Sequence, residues 1–594
     1  WFCLSHRSCI VAMGCCCGKK KPPAKTPAEP PQAPPEPEEP PVESTQLFAA
    51  EKSDKSAIEP ITPVSEAPPP DFRIGLGSLF PDFECRTTQG TFTFHSFLER
   101  QSQYGWTMLF SHPKDFTPVC TTELSMCQSL VEEFQRRSVQ LIGLSCDSVV
   151  QHKAWSKDVL ALKNKGSDTG EEEELAFPLI ADERREIASM LGMLDPLEIC
   201  NVDRIAMPAR ALFLIGPDKR NRLTILYPAT TGRNFSEILR VVDSLHITHS
   251  LEVGTPADWH FGDDVMPAIN VAEDTYTGKA AEKFVPSGRR YMRHIPQPAV
   301  DTVQKIKPHP EVKPGESEFK IKLGAKFPDF DWSATKQGIN RFHHLLDRLK
   351  GDLTVMICWP RNFDPVATTE LMGCLKFLPD LRKRNISLIG MSCDGVENLH
   401  QWVKDAVSLS GSADEESGFT MIADRNLHIA AELGFLPADP AGHDTCPVRA
   451  LFVIGKDKTL RLSMQYPTTT GLNFPEILRV LDSLILTQDF KLATPANWQQ
   501  GERLILDPKV SKTDAGKYDN LAIHSLPSGK EYIRWVDCPK LKWFEEKVLK
   551  PPASTMLDGE EWEPLSPPKG QEIDGKEPPL EDKNVWCLTC GCGP

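Results

Sequence analysis

In the stretch Thr117-Pro118-Val119-Cys120 one thiol follows two residues suited to opening a helix. Thr is a favoured N-cap, and Pro is favoured at the first helical position. Cys120 then falls at the third helical position, beside unpaired backbone N–H groups and the positive end of the helix dipole. That setting stabilises a thiolate, the form of cysteine that attacks electrophiles. The same spacing fits a small apolar residue at the start of a buried helix, since free cysteine is often inert. On position alone the two readings stand level.

The elements that must hold this thiol are legible around it. "WTMLFSH" (106–112) reads as a strand that delivers the chain to a loop stiffened by Pro113. The segment 121–137 reads as one helix, with Leu124, Cys127, Val131 and Phe134 on one face. "VQLIGLSC", "ARALFLIG" and "LTILYP" read as further strands, and "FSEILRVVDSL" as another helix. Strands alternating with helices predict an α/β sandwich, and strand-to-helix junctions are where such folds place chemistry.

The whole arrangement occurs twice. "PKDFTPVCTTEL" at Pro113 returns as "PRNFDPVATTEL" at Pro360, and "YPATTGRNFSEILRVVDSL" at Tyr227 as "YPTTTGLNFPEILRVLDSL" at Tyr466. A repeat this long is a duplicated domain, not a solenoid unit. The copies span 72–298 and 318–537, joined by a Lys- and Pro-containing linker, 299–317. Residues 1–70, rich in Pro, Glu and Ala, and the tail 538–594 have little to bury and are expected to be disordered.

Composition narrows the function. The 594 residues carry 82 acidic against 67 basic side chains, a net charge of −15, which disfavours a general nucleic-acid binder. Eighteen cysteines in so long a chain do not make a disulfide-built secreted domain, so a reducing, cytoplasmic setting is expected. No apolar run reaches the ~18–20 residues of a membrane span. "WFCLSHRSCIVA" at the start is too short and too polar for a good signal peptide.

"PKDFTPVCTTEL" resembles the Pro-x-x-x-Thr-x-x-Cys signature of peroxiredoxins, and the text around it, with "AWSKD", "LGMLDP" and "LYPATTGRNFSEILRVVDSL", is similar to the 1-Cys, peroxiredoxin-6 type. The likeness covers nearly all of 72–298, with a degenerate twin over 318–537. It implies two tandem thioredoxin-like domains and a thiol peroxidase. By resemblance Cys120 is the nucleophile, oxidised by peroxide to a sulfenic acid. Thr117 holds the sulfur and peroxide through its hydroxyl, Arg210 stabilises the thiolate and the developing charge, and Pro113 shields the pocket. Glu123 buttresses the loop. His112 is a pocket-edge residue in the family, and a structural role is an equal alternative. No cofactor or metal is implied. The first copy has no later Val-Cys-Pro context for a resolving cysteine, which implies an outside thiol such as glutathione, with a transferase partner.

The departures are as informative. Some members also cleave phospholipids through Ser, His and Asp; His95 and Asp218 match, but the serine motif is replaced by "ERQSQYGWT", with Ser102 in an altered loop, so that activity is not expected. In the second copy Asp364, Ala367 and Trp359 replace the Thr, Cys and His, while Arg449 survives. Asp364 and Pro365 still suit a helix start, so that copy is expected to fold without reacting. Peroxiredoxins of this type pair as dimers, and the two copies are expected to form an intramolecular pseudo-dimer; about 19 linker residues at about 3.3 Å each reach ~60 Å. A non-catalytic sensor or scaffold is the alternative reading.

The two ends carry further cysteines. If translation starts at Met13, Gly14 followed by Cys15–Cys17 and a lysine run is a two-signal pattern for acylation and membrane association, although Gly18 stands where the pattern prefers Ser or Thr. Cys587, Cys590 and Cys592 offer three ligands where zinc needs four, and are expected to lie in an unstructured tail.

Overall fold

A single twelve-stranded sheet runs through both repeats of the computed structural model. The structure describes residues 74–100, 105–164, 174–199, 206–268, 281–298, 321–332, 340–411, 418–436, 447–489 and 491–539. These all fall in one compact unit, Ala67–Pro594. The N-terminal arm with Gly14 and Cys15–Cys17, Ser102, the linker 299–317 and the tail with Cys587, Cys590 and Cys592 lie outside the described residues.

The first repeat contributes β1 (Glu84–Thr87), β2 (Gly90–Thr93), β3 (Trp106–Ser111), β4 (Val139–Ser145), β5 (Leu179–Ala181), β6 (Arg210–Ile215) and β7 (Asn221–Tyr227). The second contributes β8 (Leu353–Trp359), β9 (Ile386–Ser392), β10 (Thr420–Ala423), β11 (Arg449–Gly455) and β12 (Leu460–Tyr466). Their order is β10-β9-β8-β11-β12-β7-β6-β3-β4-β5-β1-β2. Within each repeat the central strand pairs parallel on one side and antiparallel on the other: β3 with β4 and β6, β8 with β9 and β11.

The central strands are buried on both faces, which is why they read as unbroken apolar runs. Alternate residues supply two cores: Met108, Phe110, Val355 and Ile357 on one face, Leu109, Ile142, Met356 and Cys358 on the other. The helices that matter for the site are α1 (Pro118–Ser129), α2 (Val149–Lys163), α3 (Phe235–Ser250) and, in the second repeat, α4 (Pro365–Lys383), α5 (Val396–Ser410) and α6 (Phe474–Asp489). The single helix expected over 121–137 is instead two, α1 and a short piece at Val131–Arg136. Ser129 at the break donates its hydroxyl to the Ser125 carbonyl at 2.8 Å, a back-bond that bends helices.

The repeats meet edge to edge. β7 and β12 pair antiparallel, with Leu226 opposite Ser463, Ile225 opposite Met464 and Thr224 opposite Gln465. Around that seam the contacts are reciprocal, as across a two-fold axis. The Tyr227 hydroxyl donates to Glu476 and the Tyr466 hydroxyl to Glu237, each at 2.9 Å. Arg479 Nη2 donates to the Gly232 carbonyl at 3.0 Å, and Arg240 Nη2 to the Gly471 carbonyl at 2.9 Å. Both glycines are required: a Cβ at Gly232 would stand 2.4 Å from the Pro495 carbonyl oxygen, and one at Gly471 2.5 Å from that of Pro256. Among the described residues no helix is long and apolar enough to cross a membrane.

Candidate active site

β3 ends at Ser111, and the loop that follows turns at Phe116, which holds a left-handed φ of 53°. Pro118 then opens α1 and places Cys120 in its first turn, fully buried. Thr117 has the extended backbone of an N-cap, but its side chain does not cap the helix. Its hydroxyl donates back to the Lys114 carbonyl at 2.7 Å, which leaves its lone pairs on the oxygen. Pro113 is buried beside His112.

Arg210, the first residue of β6, faces the sulfur. Its Nη1 donates to Cys120 Sγ at 3.3 Å and to Glu123 Oε2 at 2.7 Å, and its Nε to the Ala229 carbonyl at 3.0 Å. Glu123, one turn along α1, is fully buried and also takes Arg233: Nε to Oε1 at 2.9 Å and Nη2 to Oε2 at 2.8 Å. Burial alone would raise the Glu123 carboxyl, but the two guanidinium groups overcome it and bring it down to about 2. Arg210 is thus aimed at the sulfur by a carboxylate that stays ionised, and its own proton is held, against burial, by Cys120 and Glu123.

A second buried cluster lies behind the loop. Asp115 accepts from His112 Nε2 at 2.9 Å and from His152 Nδ1 at 2.8 Å. His152 Nε2 meets the Ile180 carbonyl at 3.1 Å, so both its nitrogens face acceptors. Burial opposes charge on both rings; for His152 the Asp115 contact wins and the ring is raised, while His112 is lowered. The ligand atoms of the three residues lie within 4.8 Å of one another, as a metal site requires. The Asp115 oxygens are already engaged by the two rings, so the set reads as a hydrogen-bond network; His112 Nδ1 has no partner in it.

In the second repeat α4 begins in the same way. Asp364 does cap, accepting from Ala367 N at 2.8 Å. Arg449 keeps its place, donating from Nε to Glu370 at 2.6 Å. Its Nη1 donates to the Thr468 carbonyl at 3.0 Å, and its Nη2 has no hydrogen-bond partner among the described residues and stands 3.6 Å from Asp364 Oδ1. Leu472 occupies the position of Arg233 and gives Glu370 only its backbone N–H, at 2.7 Å. With one arginine in place of two, burial prevails and the Glu370 carboxyl is pushed up to about 7.

Cys120 and Arg210 thus come from a helix start and a strand into contact, with Thr117 three residues before the thiol, while Pro113 is buried in the preceding loop. His95 and Asp218 do not pair: His95 Nε2 meets the Phe80 carbonyl at 2.7 Å, and Asp218 is bound by Arg222. Sequence reasoning passed over Arg233, Asp115 and His152. Reading the repeats against each other would have found them, since Leu472, Asn362 and Leu399 stand in their places.

The AhpC/TSA family profile matches residues 76–222 and again 323–463, and the profile for the C-terminal domain of 1-Cys peroxiredoxin matches 485–520. Peroxiredoxin-6 of Pongo abelii is 51% identical over 229 residues, 38% of this chain and 97% of that protein. A 1-Cys peroxiredoxin of Onchocerca volvulus is 49% identical over 229 residues, with the same coverage. The crystal structure of a peroxiredoxin 6 from Arenicola marina is 48% identical, covering 38% of this chain and all of that one, with a TM-score of 0.36. With 51% identity over 229 residues that cover 97% of a relative, and the family profile met twice, this chain belongs to the peroxiredoxins, as a thiol peroxidase of the 1-Cys type with two family domains in tandem.

Proposed function

We propose that the chain reduces hydrogen peroxide and organic hydroperoxides at Cys120 alone. The observation that carries this is the Arg210 guanidinium 3.3 Å from the Cys120 sulfur, both buried. The thiolate attacks one peroxide oxygen; the O–O bond breaks and the departing oxygen leaves as water or alcohol after taking a proton. Arg210 donates to the charge that grows on both oxygens, the Thr117 oxygen orients the peroxide, and Pro113 keeps water out. Cys120 becomes a sulfenic acid. An outside thiol such as glutathione condenses with it, releasing water, and a second thiol returns the thiolate; a glutathione transferase-like protein is the partner proposed for this step. Cys127 cannot serve in cis, because seven helical residues place it about 10 Å along α1, beyond disulfide reach.

The second repeat is proposed to be catalytically dead and structural, the other half of an intramolecular pseudo-dimer. Ala367 offers no nucleophile, and the β7–β12 seam with its reciprocal tyrosine–glutamate bonds supports the pairing. Light scattering is expected to give the mass of one chain. The protein is proposed to be cytoplasmic, held at membranes by acylation of Gly14 and Cys15–Cys17, which metabolic lipid labelling tests.

The deciding experiment compares peroxide consumption, with glutathione as reductant, by the whole chain and by Cys120→Ser. Loss of turnover in the variant is expected. Equal consumption by both would leave the chain a non-catalytic scaffold.

A further inference from the structure

Each repeat ends in a strap that crosses to the other repeat. The strap of the first, around Val285–Tyr291, lies on the second repeat: Ser287 Oγ and the Tyr291 hydroxyl donate to Asp405 of α5 at 2.6 and 3.1 Å, and Arg289 covers the Phe363 ring at 4.0 Å. The strap of the second, around Leu526–Tyr532, lies on the first repeat and therefore on the side that keeps the thiol. Ser528 donates to Asp158 of α2 from its backbone N–H at 2.8 Å and from its hydroxyl at 2.6 Å. The Tyr532 hydroxyl donates to Asp158 Oδ2 at 2.9 Å and lies 3.2 Å from Thr121 Oγ1. Lys530 Nζ stands 3.2 Å over the centre of the Phe116 ring.

These three contacts close on the frame of Cys120. Thr121 is its chain neighbour; it donates to the Thr117 carbonyl at 2.8 Å and accepts from Trp155 Nε1 at 3.0 Å. Phe116 carries the left-handed turn that aims the loop into α1, a conformation a bulky residue keeps only when its surroundings hold it. Part of those surroundings is Lys530, supplied by the other repeat. Burial, with Asp158 alongside, raises the Tyr532 phenol, so it remains a donor across the working pH range.

We infer that the degenerate repeat completes the live site: Tyr532, with Ser528 and Lys530, is a positioning element that acts on Cys120 through Thr121, Asp158 and Phe116. This rests on the reading of Cys120 as the peroxide-reactive thiol. It gives the second repeat a task in the reaction that its own lost nucleophile does not affect, and it makes the two straps unequal. They are alike in sequence and contact, yet only one of them faces a thiol.

The inequality supplies the test. Tyr532→Phe and Tyr291→Phe, made separately in the whole chain, each remove one strap hydroxyl and should disturb folding equally. Single-turnover oxidation of Cys120 by hydrogen peroxide is followed by loss of titratable thiol and by the emission of Trp155, which is bonded to Thr121. Tyr532→Phe is expected to slow oxidation about tenfold and to alter the oxidation-linked Trp155 signal. Tyr291→Phe is expected to stay within about twofold of the parent with its signal intact. Equal effects of the two variants, or none from Tyr532→Phe, would overturn the inference while leaving the peroxidase reading standing. A parent chain whose Cys120 does not react with peroxide would overturn both.

Discussion

Arg210 Nη1 stands 3.3 Å from the sulfur of Cys120, and among the described residues of the second repeat, where Ala367 replaces the cysteine, Arg449 makes no such contact. The two repeats therefore differ in what their shared arginine meets: Cys120 in the first, and Glu370 and the Thr468 carbonyl in the second.

Arg210→Met should remove the donor while keeping much of the bulk. Losing one preorganised donor to a developing oxyanion costs about 10²–10³ in rate. Stopped-flow measurement of Cys120 oxidation by hydrogen peroxide should show a fall of that size. A fall under about threefold would mean that Arg210 is a packing residue.

The two buried glutamates should respond to pH with opposite signs. Glu123 is lowered from its ordinary 4.5 to about 2, so it stabilises the fold above pH 4.5, and that contribution is lost as pH falls toward 2. Glu370 is raised to about 7, so its ionisation costs stability progressively from pH 4.5 to about 7. Glu123→Gln is expected to lower stability at pH 7 by roughly 3 kcal/mol, and Glu370→Gln to leave it unchanged or raise it. Denaturant melts of the parent and both variants at pH 3, pH 5 and pH 8 check this; equal losses for the two variants would contradict it.

Restoring the thiol to the second repeat should not be enough. Ala367→Cys, in a chain whose Cys120 is Ser, returns a thiol to the matching helix position, but Asp364 sits 3.6 Å from Arg449 Nη2 and competes for it. Peroxide consumption should stay near background in that variant and rise at least about tenfold when Asp364→Thr is added. Full activity from Ala367→Cys alone would show that Asp364 is a helix cap and nothing more.

Cys127→Ala should keep turnover with glutathione within about twofold, because the residue is buried two turns from Cys120 and its thiol is raised by that burial. Intact-mass analysis after one equivalent of peroxide should find a sulfenic acid or its glutathione adduct. An internal disulfide that disappears in Cys127→Ala would put this residue in the cycle.

The repeat, the alternation of strand and helix and the position of Cys120 at a helix start were legible because they are local or periodic. So was the absence of the thiol from the matching position of the second copy, where Ala367 stands. The role of Arg233 was not: it reaches Glu123 across 110 positions, a pairing no local pattern encodes. Thr117 misled in part, since a favoured capping residue turned its hydroxyl back to Lys114 while Asp364 capped as expected. The straps have matching sequences, "VPSGRRYMRH" and "LPSGKEYIRW", but only the fold shows that they exchange places.

The β7–β12 seam has a consequence for behaviour on dilution. In an ordinary dimer each such strand is a bare sheet edge whenever the subunits part, and bare edges template aggregation. Here the partner is tethered, at an effective concentration that a short linker sets in the millimolar range. If the two repeats of one chain pair as proposed, covering the edge, and with it the strap contacts to Thr121 and Asp158, is expected not to depend on how many copies of the protein a cell contains.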